Sequence, residues 1–189
     1  MDEAVLISQF IEHQINVLTR RPNAAATLAV LRRGIGKAPG SKPELWEVTL
    51  NGLPDILLGG TSSPSKGEWA VHSALTLFAL HQQGKTLCDK CMHTAGERLG
   101  LAVRKLVHND EDEQHIKRRF DAAATSDGLI EISYHLRGLV RMFRDQDITL
   151  DYAALAADLF WFQIPEARDL TRLRWGRDFY HIRANRYDK

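Results

Sequence analysis

Residues 126–145 read SDGLIEISYHLRGLVRMFRD, and this stretch decides the fold class. Its apolar positions Ile132, Leu136, Leu139, Val140 and Phe143 recur at the three-to-four-residue spacing with which a helix turns one face toward a core. No run of strict alternation and no hairpin signal competes with that period elsewhere in the chain.

Upstream, the acidic run Asp110 to Glu113 suits a helix N-terminus, and Lys117, Arg118 and Arg119 follow one turn later. Thr94-Ala95-Gly96-Glu97 has capping-box spacing and starts a helix carrying Leu99, Val103 and Leu106. Gly67 to Gln83 reads as one long buried helix, preceded by two short helical pieces, Pro43 to Leu50 and Pro54 to Leu58, broken at Asn51-Gly52. Near the start, Ile7, Phe10, Ile11, Val17 and Leu18 keep helical spacing until Arg21-Pro22. Pro22 then begins a second helix, which Gly34 stops just beyond Arg32 and Arg33. Ile35 to Lys42 and Thr61 to Lys66 read as loops. Downstream, Asp151 to Phe162 and Pro165 to about Arg183 complete the set, with Gly176 as the place for a bend. The chain is therefore all-α, a bundle of roughly eight to ten helices. Its longest polar stretch between helices, Lys85 to His93, sets a soft boundary between an N-terminal half, 1–90, and a C-terminal half, 91–189, of one compact unit.

With 189 residues, 44% of them hydrophobic, the chain is large enough to bury roughly 70% of its unfolded surface without a metal or disulfide to hold it together. Its 25 Lys and Arg balance 24 Asp and Glu, so net charge names no partner, and only the distribution of charge can. Distribution is uneven: 13 of the 17 arginines follow residue 95. The most apolar stretch, Trp69 to Leu80, is interrupted by His72, Ser73 and Thr76 and is shorter than the roughly 20 residues of a membrane span. MDEAVLISQF fits neither a signal peptide nor a mitochondrial leader, which with two free thiols leads to a cytoplasmic expectation.

Catalytic signatures are missing: no GxSxG, HExxH, GxxxxGK[ST] or GxGxxG occurs. His108-Asn109-Asp110 has the look of a metal-hydrolase fragment but falls where a helix ends, as a solvated turn would. Cys88-Asp89-Lys90-Cys91 followed by His93 could supply three zinc ligands, with His81 or His72 as a fourth. No second CxxC or HxxxH supports it, so no metal and no cofactor is expected.

The arginines carry more information, because a phosphate backbone needs several fixed cations on one surface. Arg137, Arg141 and Arg144 stand at i, i+4 and i+7 on one helix face along about 10 Å of axis. Tyr134, one turn earlier, could stack on a base. Arg104-Lys105 and Arg118-Arg119 add basic pairs, and Arg172, Arg174 and Arg177 load the final helix. Local acids compete for some of these: Asp145 lies four residues after Arg141, and Asp178 four after Arg174, whereas Arg137 and Arg144 have no acid at that spacing. Arg168, Arg172 and Arg183 share a side with Trp175 and Phe179, a placement that suits packing or a protein partner.

LRGLVRMFRDQDITLDYAALAADLFWFQ (136–163) and RLRWGRDFYH (172–181) resemble the CasB family, the small subunit of the type I-E CRISPR surveillance complex Cascade. GEWAVHSALTLFALHQQGK, MHTAGERLGLAVRKLV, RRFDAAATSD and LAVLRRGIGK extend the resemblance in order over most of the chain. It implies an all-helical, non-enzymatic subunit, present as two copies head to tail, touching the repeating backbone subunits and the large subunit of a crRNA-guided assembly. It also implies a groove of basic residues for the displaced, single-stranded non-target DNA, which stabilises the R-loop. The matching basic positions are Arg32 and Arg33, Arg118 and Arg119, and Arg137, Arg141 and Arg144. CDKC is not a feature of the family. Two alternatives are a purely structural adaptor whose arginines meet partner carboxylates, and a zinc-binding module or enzyme at Cys88, Cys91 and His93.

Overall fold

Nine α-helices and two 3-10 turns follow one another through residues 2–187, the part of the chain that the computed structural model describes, with side chains through Tyr180. In chain order the helices are α1 Glu3–Arg20, α2 Ala24–Arg32, α3 Trp46–Thr49, α4 Lys66–His81, α5 Leu99–Lys105, α6 Asp110–Thr125, α7 Leu129–Asp145, α8 Tyr152–Phe162 and α9 Pro165–Tyr187. The 3-10 turns, Pro43–Leu45 and Asp55–Leu57, lie between α2 and α4. No strand occurs among the described residues, so the fold is all-α.

Helix α4 is the axis of the bundle. Ser65 Oγ accepts from the Glu68 N–H at 2.9 Å while Glu68 returns a bond to the Ser65 N–H at 2.6 Å, a reciprocal cap that sets its first turn. From Ala70 to His81 every residue is buried, because α1, α2, α7 and α8 pack around it. Helix α7 is amphipathic, and Ile132, Leu136, Leu139, Val140 and Phe143 all point inward. Helices on both sides of the Lys85–His93 stretch contribute to one hydrophobic cluster. At the far side, α5 crosses α9 so closely that a Cβ on Gly100 would lie 2.3 Å from the Trp175 carbonyl oxygen. Only glycine lets those two backbones meet.

Several boundaries differ from the sequence reading. Asn23 rather than Pro22 precedes the first turn of α2, with Pro22 in the turn ahead of it. Thr94-Ala95-Gly96-Glu97 is a turn and not a capping box: Gly96 takes φ +85°, its N–H donates to Asp151 Oδ2 at 2.7 Å, and α5 starts at Leu99 with no side-chain cap. Asp151 also caps α8 by accepting from the Ala154 N–H. Ser126 ends α6 instead of opening α7. Helix α9 continues through Gly176.

His81 sits fully buried against Tyr152, its Nδ1 2.9 Å from the hydroxyl. Burial, helped by the charges of Lys85 and Arg144, lowers its pKa to about 4. In the unfolded chain the imidazole takes its proton near pH 6.5, in the folded chain only near pH 4, so stability from this group is complete above 6.5 and is lost as pH falls toward 4. Urea unfolding should therefore show a loss of about 2 kcal/mol from His81 between pH 7 and pH 5, added to a loss of the same sign from buried His72, whose pKa burial also lowers, and His81→Gln should remove the first share. A pH dependence identical in the variant would show that the buried imidazole is not its source.

Candidate nucleic-acid interface

The short connection between α6 and α7 folds them back against each other as an αα-hairpin. Ile116, Phe120 and Ala123 of α6 and the α7 stripe turn into the core, which leaves the outer shoulders of both helices facing one cleft of about 450 Å³. Arg118 and Arg119 line it from α6, and Tyr134, Arg137, Gly138 and Arg141 from α7. Among the described residues no carboxylate lines this cleft. Arg119 Nε donates to His115 Nε2 at 3.1 Å, while Arg118, Arg137 and Arg141 have no hydrogen bond or ion pair among the described residues. Four guanidinium groups without a counter-charge make a strongly positive field in a concave surface, and an anion is what relieves it. The helix face inferred from i, i+4 spacing and the basic pair of α6 thus meet in one site.

The other sequence candidates lie elsewhere. Arg144 pairs with its neighbour Asp145 through Nε at 3.1 Å and a terminal nitrogen at 2.9 Å, so the absence of an acid at i±4 did not leave it free. Arg104 is only 10% exposed; its guanidinium lies 3.5 Å from Glu113 and 5.7 Å above the Phe179 ring. It joins α5 to α6 and α9 and takes no part in the cleft. Lys105 pairs with Glu97. Arg32 donates to the Ala79 carbonyl at 3.4 Å, and Arg33 is exposed. Neither lines the cleft.

A second arginine cluster gives the contrast that singles out the first. Arg98, Arg174 and Arg177 surround a cavity of about 440 Å³ beside α9, but Arg98 pairs with Asp178 at 2.6 Å and Arg174 with Asp158. The i+4 pairing expected between Arg174 and Asp178 does not form, because buried Asp158 and Asp178 each draw a cation across a helix contact. Arg168 and Arg172 lie over the Phe162 ring at 5.3 and 5.4 Å, and Arg172 Nε donates to the Ala124 carbonyl at 2.6 Å. These serve packing; the Arg183 side chain lies outside the described residues.

The CDKC segment is a stapled loop. Buried Gln82 donates to the Lys85 and Lys90 carbonyls at 3.0 and 2.8 Å and accepts from the Met92 N–H at 2.9 Å. Lys85 and Lys90 both reach Asp147, which holds that carboxyl down to about 2. His93 Nδ1 accepts from the Tyr152 N–H, His81 contacts the Tyr152 hydroxyl and His72 Nε2 lies 3.0 Å from the Gly34 carbonyl. Among the described residues no three His, Cys, Asp or Glu side chains converge on a metal position, so the zinc alternative has no assembled ligand set. His108, read as part of a solvated turn, contacts Gln146, and Asn109 caps α6.

Sequence reasoning missed two histidines and one exposed apolar residue beside the basic cleft. His115 and His135 flank the cleft. Ile130, 73% exposed, continues the Tyr134 face into a crevice that it shares with Lys37. The signal was present, since Ile130, Tyr134, Arg137 and Arg141 share one side of the helical wheel.

The family described as CRISPR-associated protein Cse2 matches residues 27–180. Among solved structures, CasB from Thermobifida fusca is 31% identical over 93% of this chain and 98% of its own, with a TM-score of 0.76. CasB from M. ruber is 22% identical over 95% of this chain and 97% of its own, at 0.70. A Cse2-family CRISPR-associated protein from Thermus thermophilus is 22% identical over 93% and 97%, at 0.69; these last two likenesses show the fold. A comparison with curated proteins gives no match. Among the described residues no helix is long and apolar enough to cross a membrane.

Proposed function

The chain belongs to the CRISPR-associated Cse2 family, the family of the Cascade subunit CasB, and from that membership we propose that it is a non-catalytic small subunit that holds the displaced DNA strand of an R-loop in the α6/α7 cleft. One observation carries the reading: Arg118, Arg119, Arg137 and Arg141 face one concavity that no carboxylate lines among the described residues. In guide-directed complexes base pairing reads the sequence, and protein contacts to strand backbones tip an exchange that is nearly balanced in base-pair energy. Four fixed cations suit that task. They neutralise phosphates regardless of sequence, while a net charge of only +1 keeps the subunit from binding nucleic acid indiscriminately. The partners on this reading are single-stranded non-target DNA, the backbone and large subunits of the crRNA-containing assembly, and a second copy head to tail, in the cytoplasm.

Charge reversal separates this reading from that of a purely structural adaptor. With Arg137→Glu and Arg141→Glu in the assembled complex, full subunit stoichiometry and an R-loop lifetime shortened at least about tenfold are expected, since two attractive phosphate contacts become repulsive. Loss of the subunit from the complex, with the R-loop unaffected by the cleft itself, would establish the adaptor.

A further inference from the structure

Helix α7 carries a glycine at its centre that the fold does not require. A Cβ on Gly138 would meet a single atom within 4 Å, a terminal nitrogen of Arg119 at 3.7 Å, which is ordinary contact. Its backbone is regular helix, where glycine is among the least favourable residues. By contrast Gly100, with a Cβ approach of 2.3 Å, has an evident packing reason. What Gly138 does leave is space. A helical side chain leans toward the N-terminus and covers the turn before its own Cα, so any larger residue at 138 would lie against Tyr134. Without one, the Tyr134 ring stands 70% exposed on the wall of the arginine cleft. His135 meets that ring edge-on, centroids 5.4 Å apart at 78°, and Arg119 reaches over the glycine from the opposite helix.

We propose that Tyr134, Gly138 and Arg119 form a slot for one unpaired nucleobase, stacked on the phenol ring with the Arg119 guanidinium on its other side. Aromatic rings and guanidinium planes are the surfaces on which unstacked bases are held. The inference rests on the proposed function and deepens it: the slot takes a base, and the cleft arginines, Arg119 by the edge N–H groups of its guanidinium, take the backbone. A duplex keeps its bases in the stack and cannot fill the slot, so the site selects single strands. Every base has a π face, so it does so without reading sequence.

Anisotropy titrations of the full chain with two labelled strands of about 30 nucleotides, one of thymidines and one entirely abasic, test the slot at several salt concentrations. The thymidine strand is expected to bind about tenfold tighter than the abasic one. Tyr134→Ala and Gly138→Leu should erase that preference without changing the salt slope, and Tyr134→Phe should keep it. Leucine is the better helix former, so Gly138→Leu does not act by unfolding α7. Equal binding of both strands by the wild type, or Tyr134→Phe behaving as Tyr134→Ala, overturns the slot. If in that case Arg137→Ala with Arg141→Ala still flattens the salt slope, the backbone reading stands alone. If wild type binds neither strand at any salt, or that pair of substitutions leaves affinity and slope unchanged, the proposed function fails and the slot with it.

Discussion

Asp158→Ala is expected to lower the free energy of unfolding by about 3 kcal/mol. Asp158 lies buried in α8 and serves two donors of α9: the Trp175 indole N–H at 2.5 Å and the Arg174 guanidinium. Burial pushes its carboxyl pKa up, against the opposing pull of those same two partners. Removing it does not leave Arg174 stranded, since that side chain is partly exposed and can turn to water. Trp175 has no such escape. It is fully buried, stacked on Phe162 with centroids 5.7 Å apart and planes at 13°, and tilted against Phe120, so its N–H would be orphaned beside a new cavity. Asp158→Asn keeps an acceptor for the indole and should cost about half as much. Urea unfolding of the two variants gives the comparison, and a loss below about 1 kcal/mol in the alanine variant would mean that water or a relaxed Trp175 replaces the carboxylate.

The helix count was legible because most helices bury one stripe and expose the rest, and α7 states its face in five apolar residues. Helix α4 was legible only as buried. A helix covered on all sides has no face to infer, so its central place among α1, α2, α7 and α8 came from the structure alone. Boundaries failed where a tertiary bond overrode local spacing, as at Gly96, whose N–H is taken by Asp151 from 55 positions away in sequence. Basic pairs illustrate the same limit. Arg104-Lys105 and Arg118-Arg119 are indistinguishable as sequence, yet Arg104 is sealed against Phe179 and Glu113 while Arg118 faces the cleft unpaired. Spacing rules for ion pairs describe an isolated helix. In a bundle the buried carboxylates Asp158 and Asp178 recruit whichever cation the neighbouring segment presents, Arg174 from α9 and Arg98 from the residue ahead of α5. The three arginines of the cleft with no partner among the described residues are therefore those that no buried acid claimed.

Replacing Arg118, Arg119, Arg137 and Arg141 together by alanine is expected to weaken single-strand binding roughly 600-fold at about 0.1 M salt, or about 4 kcal/mol. Each phosphate neutralised on a single strand contributes a slope of about −0.7 in the logarithm of affinity against the logarithm of salt. Four contacts give about −2.8, so a fourfold rise in salt should cost the wild type roughly 50-fold while the variant loses little of that share. Folding should hardly change. Arg118, Arg137 and Arg141 have no side-chain partner among the described residues to lose, and Arg119 gives up one exposed bond to His115, so the free energy of unfolding should stay within about 0.5 kcal/mol of wild type. The control is Arg177→Ala, an arginine of the other cavity that pairs with no buried carboxylate among the described residues. Arg98 is left in place because it neutralises buried Asp178, and Arg177→Ala should alter the salt slope by less than half as much as any one residue of the cleft. Equal effects from both cavities would mean that the strand responds to total charge and not to the α6/α7 cleft. A wild-type slope near zero would remove the electrostatic basis of the reading altogether.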